Sequence, residues 1–193
     1  MSLGAGKAAA LALTALLLGT VQPGRAQGSD PDRALLVAVR NKDFTDARLL
    51  IEAGANVNAR DESGLSAFLM VASSGEADLM RLVLRKGALP DSRDTDGATA
   101  LIRAARGAHT AVMIELLRAG AELDQTARNG RTALCEAVAA GDGGPRHTDA
   151  VRVLVRAGAD QGIRDNTGMT ALQYARQRRF LEVAAVLVSS GGN

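Results

Sequence analysis

Three side chains in this 193-residue chain are of types that often take part in catalysis or metal binding: the single cysteine, Cys135, and the two histidines, His109 and His147. A cysteine paired with a histidine base could act as a nucleophile, and histidines at ligand spacing could bind a metal ion. The sequence supports neither, because Cys135 lies in an apolar stretch and the histidines have no ligand-spaced neighbours. We expect Cys135 to be a small core residue and each histidine to hydrogen-bond its own loop.

A glycine-rich segment at residues 141–146 could in principle cradle a phosphate group. A phosphate-binding loop of that kind needs a preceding strand and a following Lys-Ser or Lys-Thr pair, and neither is present. We therefore predict that residues 142–146 lengthen a loop between two helices, where they could still extend a partner surface. Paired acids, a nucleophile elbow and Cys-x-x-Cys are also missing from the sequence. We predict no catalytic residues, no metal site and no cofactor, and hence a protein that is not an enzyme.

Two short patterns return along the chain at shared intervals of 33, 33 and 38 residues. The first is a glycine followed two residues later by Ser or Thr, and the second is a Gly-Ala pair. The first begins at Gly64, Gly97, Gly130 and Gly168, and the second at Gly54, Gly87, Gly120 and Gly158. A fixed period of this size indicates a solenoid of stacked repeats.

Each repeat has the signals of two short helices. The glycine marks a tight turn, and the hydroxyl that follows it is a suitable N-cap for a first helix, such as residues 100–106. A second helix, such as residues 110–118, would stop at Gly120. Neither helix is long enough to be stable alone, so stacking on neighbouring repeats must supply the buried surface. The predicted N-caps are Ser66, Thr99, Thr132 and Thr170.

These residues resemble the ankyrin repeat. The Thr-Pro-Leu-His signature of that family appears here as Thr-Ala-Leu-x, with Leu69, Ile102, Cys135 and Gln173 in place of its histidine. The resemblance covers residues 30–193 and implies an all-α ankyrin-repeat solenoid of about five helix-turn-helix units. Residues 27–193 would form one domain. The implied repeats are 30–60, 61–93, 94–126, 127–164 and 165–193.

The N-terminal residues 1–26 have the pattern of a secretory signal peptide. Lys7 is followed by an uncharged stretch at 8–18, and Gly24 and Ala26 supply the small residues of a cleavage site. We predict cleavage after Ala26 and a periplasmic protein. The full chain has 23 basic and 21 acidic residues, and loss of Lys7 and Arg25 leaves 21 of each. A neutral protein has no general attraction for nucleic acid or anionic lipid, so we expect neither as a partner.

The ankyrin resemblance implies a non-catalytic module that binds another protein, and we expect a monomer. Similarity to exported bacterial ankyrin proteins suggests an envelope enzyme such as a catalase, or a toxin neutralised by an immunity-type inhibitor. A small-ligand or heme-handling protein that uses Cys135, His109 or His147 is the alternative from another class. A structural spacer of the envelope is a third.

By the same resemblance, contacts with the partner are expected around each turn glycine and at the ends of the first helices. Hot spots favour Trp, Tyr and Arg, and this chain has no Trp and one Tyr, so its arginines are the candidate anchors. We expect the turn-tip arginines Arg128 and Arg131 to be replaceable at little cost to folding. The predicted binding residues are Glu62, Ser63, Leu65, Thr95, Asp96, Arg106, Arg128, Asn129, Arg131, Asn166, Thr167 and Arg178, with Ser73, Ser74, Ala98, Gly107, Met169 and Gln177 beside them.

Three charged residues, Arg103, Glu115 and Glu136, stand at positions where the other repeats have mostly apolar residues. An unpaired buried charge is costly, so such groups should pair. We expect one network in which Arg103 lies between the two carboxylates.

Overall fold

The computed structural model describes residues 30–190, and within that range the chain forms ten α-helices and no strand. They are arranged as five consecutive pairs of short antiparallel neighbours. The helices are α1 Pro31–Arg40, α2 Phe44–Glu52, α3 Ala67–Ser74, α4 Ala77–Arg85, α5 Ala100–Arg106, α6 Thr110–Arg118, α7 Ala133–Ala139, α8 Pro145–Arg156, α9 Ala171–Gln177 and α10 Leu181–Ser190. The predicted all-α solenoid of five helix pairs is confirmed.

The helices stack in two layers. The first helices α1, α3, α5, α7 and α9 contact one another in chain order, and the second helices α2, α4, α6, α8 and α10 do the same behind them. The core runs between the layers and repeats with the sequence period: Leu35, Phe68, Leu101 and Leu134 are almost fully buried at intervals of 33 residues. Because each helix buries its apolar side against both the adjacent layer and the adjacent repeat, stability is shared along the stack.

Hydroxyl N-caps fix where the first helices begin. The hydroxyls of Ser66, Thr99, Thr132 and Thr170 accept hydrogen bonds from backbone N–H groups three residues ahead, at 3.2 to 3.4 Å. Each bond satisfies one of the amides that the first helical turn leaves without a partner. All four predicted N-caps are confirmed.

An aspartate organises the turn before three of these caps. Asp94 Oδ1 accepts from the N–H groups of Asp96 and Ala98, at 2.9 and 2.8 Å. Asp61 and Asp165 hold their turns in the same way. Ala127 occupies this position in the fourth repeat, so the turn can form there without a carboxylate.

The glycine of each turn has a left-handed backbone, and at Gly130 the next repeat also leaves no room for a side chain. Gly130 has φ +77°, and a Cβ built on it would lie 2.7 Å from the backbone nitrogen of Asn166. Gly168 has nearly the same φ, +79°, but nothing lies within 4 Å of its Cβ position. Substitutions at these two glycines can therefore distinguish the cost of left-handed backbone strain from the cost of a steric clash between repeats.

We expect Gly130→Ala to be more destabilising than Gly168→Ala. Both variants incur the left-handed strain of a non-glycine residue, about 1–2 kcal/mol. Only Gly130→Ala must also push two repeats apart, which adds about 1–3 kcal/mol. Urea denaturation of the two variants measures the difference, and equal losses would show that the tips of these repeats are not held rigidly together.

The longest second helix follows the glycine-rich segment. Helix α8 begins at Pro145, a residue suited to the first helical position because its missing N–H is not needed there. The prediction that residues 142–146 all lie in the loop is therefore wrong for Pro145 and Arg146, which form the first turn of α8. In the remaining loop, Asp142 Oδ1 accepts from the N–H of Gly144 at 2.9 Å.

The predicted signal peptide, residues 1–26, lies outside the described residues. Within residues 30–190, none of the helices has the length and apolar character needed to cross a membrane.

Candidate protein-binding face

The predicted binding residues lie along the turn tips and the ends of the first helices. Ten of the twelve are exposed, and Leu65 and Arg131 are partly buried. Ala98, predicted beside them, is 1% exposed. Its N–H and its C=O both bond Asp94, so it is held inside the turn and is not available to a partner.

Backbone contacts join the tips of neighbouring repeats. The Arg128 N–H donates to the carbonyl of Asp96 at 2.9 Å, and the Asn166 N–H donates to the carbonyl of Asn129 at 3.0 Å. The side-chain amide of Asn166 also donates to the Arg128 carbonyl at 2.8 Å. The predicted tip residues of the last three repeats therefore form one continuous ridge.

Arginines behind the turns, which the sequence analysis did not identify, add contacts between the first three repeats. Arg60 Nη1 donates across the repeat boundary to the carbonyl of Arg93 at 2.7 Å, and Arg93 Nη1 donates in the same way to Thr126 at 2.7 Å. Each guanidinium also bonds a carbonyl of its own turn. The 33-residue spacing of Arg60 and Arg93 was the available signal, since equivalent positions of a repeat stack face each other.

An open groove of about 490 Å³ lies between the turn at residues 61–65 and helices α1 and α3. It brings together four of the residues expected near the partner. Its floor is apolar, formed by the partly buried Leu65 and Met70, and its rim is polar and basic. The rim residues are Arg40, Lys42, Asp61, Ser63, Ser73, Ser74 and Arg103.

A second groove of about 650 Å³ adjoins the first around α1. Val37 lines it and is 47% exposed. Val37 and Met70 occupy the repeat position at which the third and fourth repeats have Arg103 and Glu136. The exposed Val37 and the partly buried Met70, both apolar, thus mark the N-terminal part of the face.

Of the four arginines predicted as anchors, three are bonded within the protein. Arg106 Nε donates to Glu136 Oε1 at 2.7 Å, and Arg178 Nη1 donates to the carbonyl of Gly141 at 3.0 Å. Arg131 is bonded to two acids and a tyrosine. Among residues 30–190, no hydrogen bond or ion pair of the Arg128 guanidinium is found, and this arginine is exposed.

Arg131 belongs to a polar cluster between the fourth and fifth repeats. Its guanidinium donates to Asp165 Oδ2 at 3.1 Å and to the Tyr174 hydroxyl at 2.9 Å, and it lies 3.5 Å from Glu136 Oε2. Asp165 and Glu136 are only 6% and 3% exposed. Burial alone would lower the pKa of Arg131, but its bonds to Tyr174 and Asp165 raise that pKa well above the ordinary value. Arg131 is therefore part of the folded structure and is not a freely available surface residue.

The predicted network of Arg103 between Glu115 and Glu136 is wrong. Arg103 instead forms an ion pair with Asp94 of its own turn and donates to Ser73 Oγ at 2.9 Å. Glu115 pairs with Arg81 of the preceding repeat at 3.3 Å. Each of the three charged residues does pair with an opposite charge, as expected because burying an unpaired charge is costly. The pairs are Arg103 with Asp94, Glu115 with Arg81 and Glu136 with Arg106, so the three residues do not pair with one another.

The groups that could have done chemistry are committed to structural contacts. Cys135 is 2% exposed, and burial raises the pKa of its thiol to about 12, so it is a core residue as predicted. His147 Nδ1 lies 2.9 Å from Asp142 in its own loop, as predicted. His109 Nε2 instead lies 3.0 Å from the carbonyl of Ser73 in the preceding repeat, so that prediction was wrong. No cluster of three metal-ligating side chains occurs within residues 30–190.

Comparison with known proteins agrees with this repeat geometry. A family model described as "Ankyrin repeats (3 copies)" matches residues 35–127 and 107–193. The chain belongs to the ankyrin repeat family. Ankyrin repeats are in general non-catalytic modules that mediate binding to other proteins.

Similar proteins include one curated relative and two crystal structures. The putative ankyrin repeat protein YahD of Escherichia coli K12 is 38% identical over 56 residues, which is 29% of this chain and 28% of that protein. The ankyrin repeat domain ABAYE2397 of Acinetobacter baumannii AYE is 34% identical, with a TM-score of 0.85 over 98% of this chain and 95% of that one. The ankyrin repeat protein EF0377 is 30% identical, with a TM-score of 0.82 over 97% and 98%.

Proposed function

We propose that this ankyrin repeat protein is an exported, non-catalytic binding module of the periplasm that holds its protein partner in the groove lined by Leu65 and Met70. The groove carries the proposal because it combines an accessible apolar floor with an arginine on its rim, a composition that protein interfaces favour. Methionine suits such a floor because its flexible, polarisable side chain adapts to a partner surface.

The groove is also held in shape before a partner arrives. Asp61 Oδ1 accepts from the N–H groups of Ser63 and Leu65, at 2.9 and 3.0 Å, and from the Ser63 hydroxyl. Arg40 on the rim pairs with the other Asp61 oxygen. A pre-organised site loses less conformational entropy on binding, so more of the contact energy appears as affinity.

The proposal of export rests on the signal-peptide pattern of residues 1–26. With Cys135 as the only cysteine, no disulfide can form within the chain. The partners that fit are an envelope enzyme such as a catalase, which the module would protect or help to mature, or a toxin that it neutralises. N-terminal sequencing of the envelope fraction tests the location, and an intact Met1 in the cytoplasm would contradict it.

We expect Met70→Glu to weaken partner binding at least tenfold, because it places a charge on the apolar floor of the groove; loss of a hot spot costs about 2 kcal/mol or more. The partner is captured from envelope extract with residues 27–193, and its affinity is then measured for each variant. Leu89→Glu is the matched control, since Leu89 is 61% exposed and does not line the groove. Circular dichroism should be unchanged in both, and full affinity of Met70→Glu would place the interface elsewhere.

A further inference from the structure

A second surface lies at the end of the helices opposite the turn tips, where a loop joins the two helices of each repeat. In the last three repeats these loops are residues 107–109, 140–144 and 178–180. We add Arg106, which ends α5, and Pro145 and Arg146, which begin α8, so that the surface comprises residues 106–109, 140–146 and 178–180. Together they contain four arginines and one acid, Asp142. We call this surface the loop edge. Its arginines are Arg106, Arg146, Arg178 and Arg179.

Contacts between repeats bring these arginines onto one edge. Arg146 Nη2 donates to the carbonyl of Gly107 in the preceding loop at 3.4 Å, and Arg178 Nη1 donates to the carbonyl of Gly141 at 3.0 Å. A single backbone bond leaves most of the five N–H donors of a guanidinium available. All four arginines are exposed. Arg106 is paired with Glu136, but among residues 30–190 no ion pair of Arg146, Arg178 or Arg179 is found, so these three give the edge a concentrated positive charge on a chain that is nearly neutral as a whole.

The one acid of the loop edge is already engaged. Asp142 Oδ1 accepts from the Gly144 N–H and lies 2.9 Å from His147 Nδ1. The carboxylate thus holds its own loop and does not pair with any of the four arginines among the ion pairs of residues 30–190.

An exposed apolar side chain accompanies the positive charge. Leu181 is 80% exposed, the highest value among the large hydrophobic residues of the described chain, and it follows Arg179 by two residues. A single exposed leucine is ordinary. Beside several arginines, however, it supplies the apolar contact that a purely electrostatic surface lacks.

We propose that the loop edge docks an acidic protein segment that carries an apolar side chain. The charge attracts the segment and sets its direction, and Leu181 contacts the apolar residue. A nucleic acid fits less well, because none of the aromatic residues within 30–190 is exposed to stack on bases. The proposal rests on the general protein-binding function of the chain but not on the groove, whose floor of Leu65 and Met70 belongs to the second repeat.

The test is fluorescence anisotropy with purified protein and a labelled peptide in which aspartates and glutamates surround two leucines. We expect saturable binding that weakens with added salt. Arg146→Gln with Arg179→Gln should weaken it about tenfold. The matched control is Arg85→Gln with Arg156→Gln, which removes the same charge from exposed positions on second helices. It should change the affinity less than about twofold.

Three results would overturn the proposal: no saturable binding, equal losses in the two pairs of variants, or tighter binding of a labelled oligo-dT than of the peptide. The Met70→Glu variant separates the two surfaces. It should bind the peptide as well as the wild-type protein does, and loss of peptide binding in that variant would place the acidic segment in the groove instead. If the proposal for the loop edge fails, the partner-binding test of the groove with Met70→Glu is unaffected.

Discussion

Replacing Arg131 by methionine is expected to lower the free energy of unfolding by about 3–5 kcal/mol, since it leaves the buried Asp165 without its ion-pair partner and removes one of the two arginines that face Glu136. The guanidinium lies 3.1 Å from Asp165 and 3.5 Å from Glu136, and both acids are almost inaccessible to solvent. It also bonds the Tyr174 hydroxyl. Urea denaturation followed by circular dichroism measures the loss.

Arg128→Met is the matched control for this variant. Arg128 lies three residues away in the same turn, is exposed, and has no polar partner for its guanidinium among residues 30–190. Its replacement should change stability by less than about 0.5 kcal/mol. A loss below about 1 kcal/mol for Arg131→Met would instead identify an ordinary surface pair. The sequence-based expectation that both arginines tolerate change stays a prediction for Arg128, and the bonds of Arg131 to Asp165 and Tyr174 argue against it for Arg131.

The sequence predicts the repeating part of this fold because the signals there are local. Helices 100–106 and 110–118 begin and end where the N-cap at Thr99 and the stop at Gly120 place them. A hydroxyl that caps a helix acts three residues ahead, and a left-handed glycine acts on its own turn. Signals that act over such short distances are readable without knowing how the repeats pack.

Contacts of long side chains between repeats could not be predicted in the same way. Arg103 was expected to meet Glu136 of the next repeat, but its guanidinium pairs with Asp94, nine residues back in the chain. His109 bonds the preceding loop and not its own. A side chain with several rotatable bonds can reach several partners, and the choice depends on the stacking geometry, which no short motif encodes.

The candidate site was predictable only in outline. The resemblance placed Ser63 and Leu65 near the partner, and both line the groove. It did not identify Met70 or Arg40, because a groove arises where the turn of one repeat meets helices of two. Which tip residues are free and which are bonded also depends on the neighbouring repeat, as the contrast between Arg128 and Arg131 shows.

Asp165→Asn is expected to cost about 2–4 kcal/mol at neutral pH, because hydrogen bonds to charged groups contribute more than neutral ones. Asp165 accepts from Thr167, Met169, Tyr174 and Arg131. An asparagine retains one acceptor oxygen but would turn its NH₂ group toward the donors of Tyr174 and Arg131. The variant should still fold, since Ala127 shows that this turn forms without a carboxylate.

The stability that Asp165→Asn loses relative to the wild-type protein should depend on pH. Burial alone would raise the pKa of Asp165, but its hydrogen bonds from Thr167, Tyr174 and Arg131 hold that pKa well below the ordinary value. A carboxyl group whose pKa is lowered by folding stabilises the folded state above its unfolded pKa of about 4, and this stabilisation disappears as the pH falls toward the folded pKa. The stability of the wild-type protein should therefore approach that of Asp165→Asn below about pH 4.

Urea midpoints of the two proteins at pH 7, 4 and 3 test this expectation. Asp94→Asn is the control within the same kind of turn, because Asp94 binds Arg103 and two backbone N–H groups but no tyrosine. Its cost at neutral pH should be smaller than that of Asp165→Asn. If the wild-type and Asp165→Asn midpoints instead stay equally far apart from pH 7 to pH 3, the ionised carboxylate is not what stabilises the junction of the last two repeats. The packing of Tyr174 over Arg131, whose guanidinium carbon lies 5.0 Å from the ring centroid, would then be the stabilising contact.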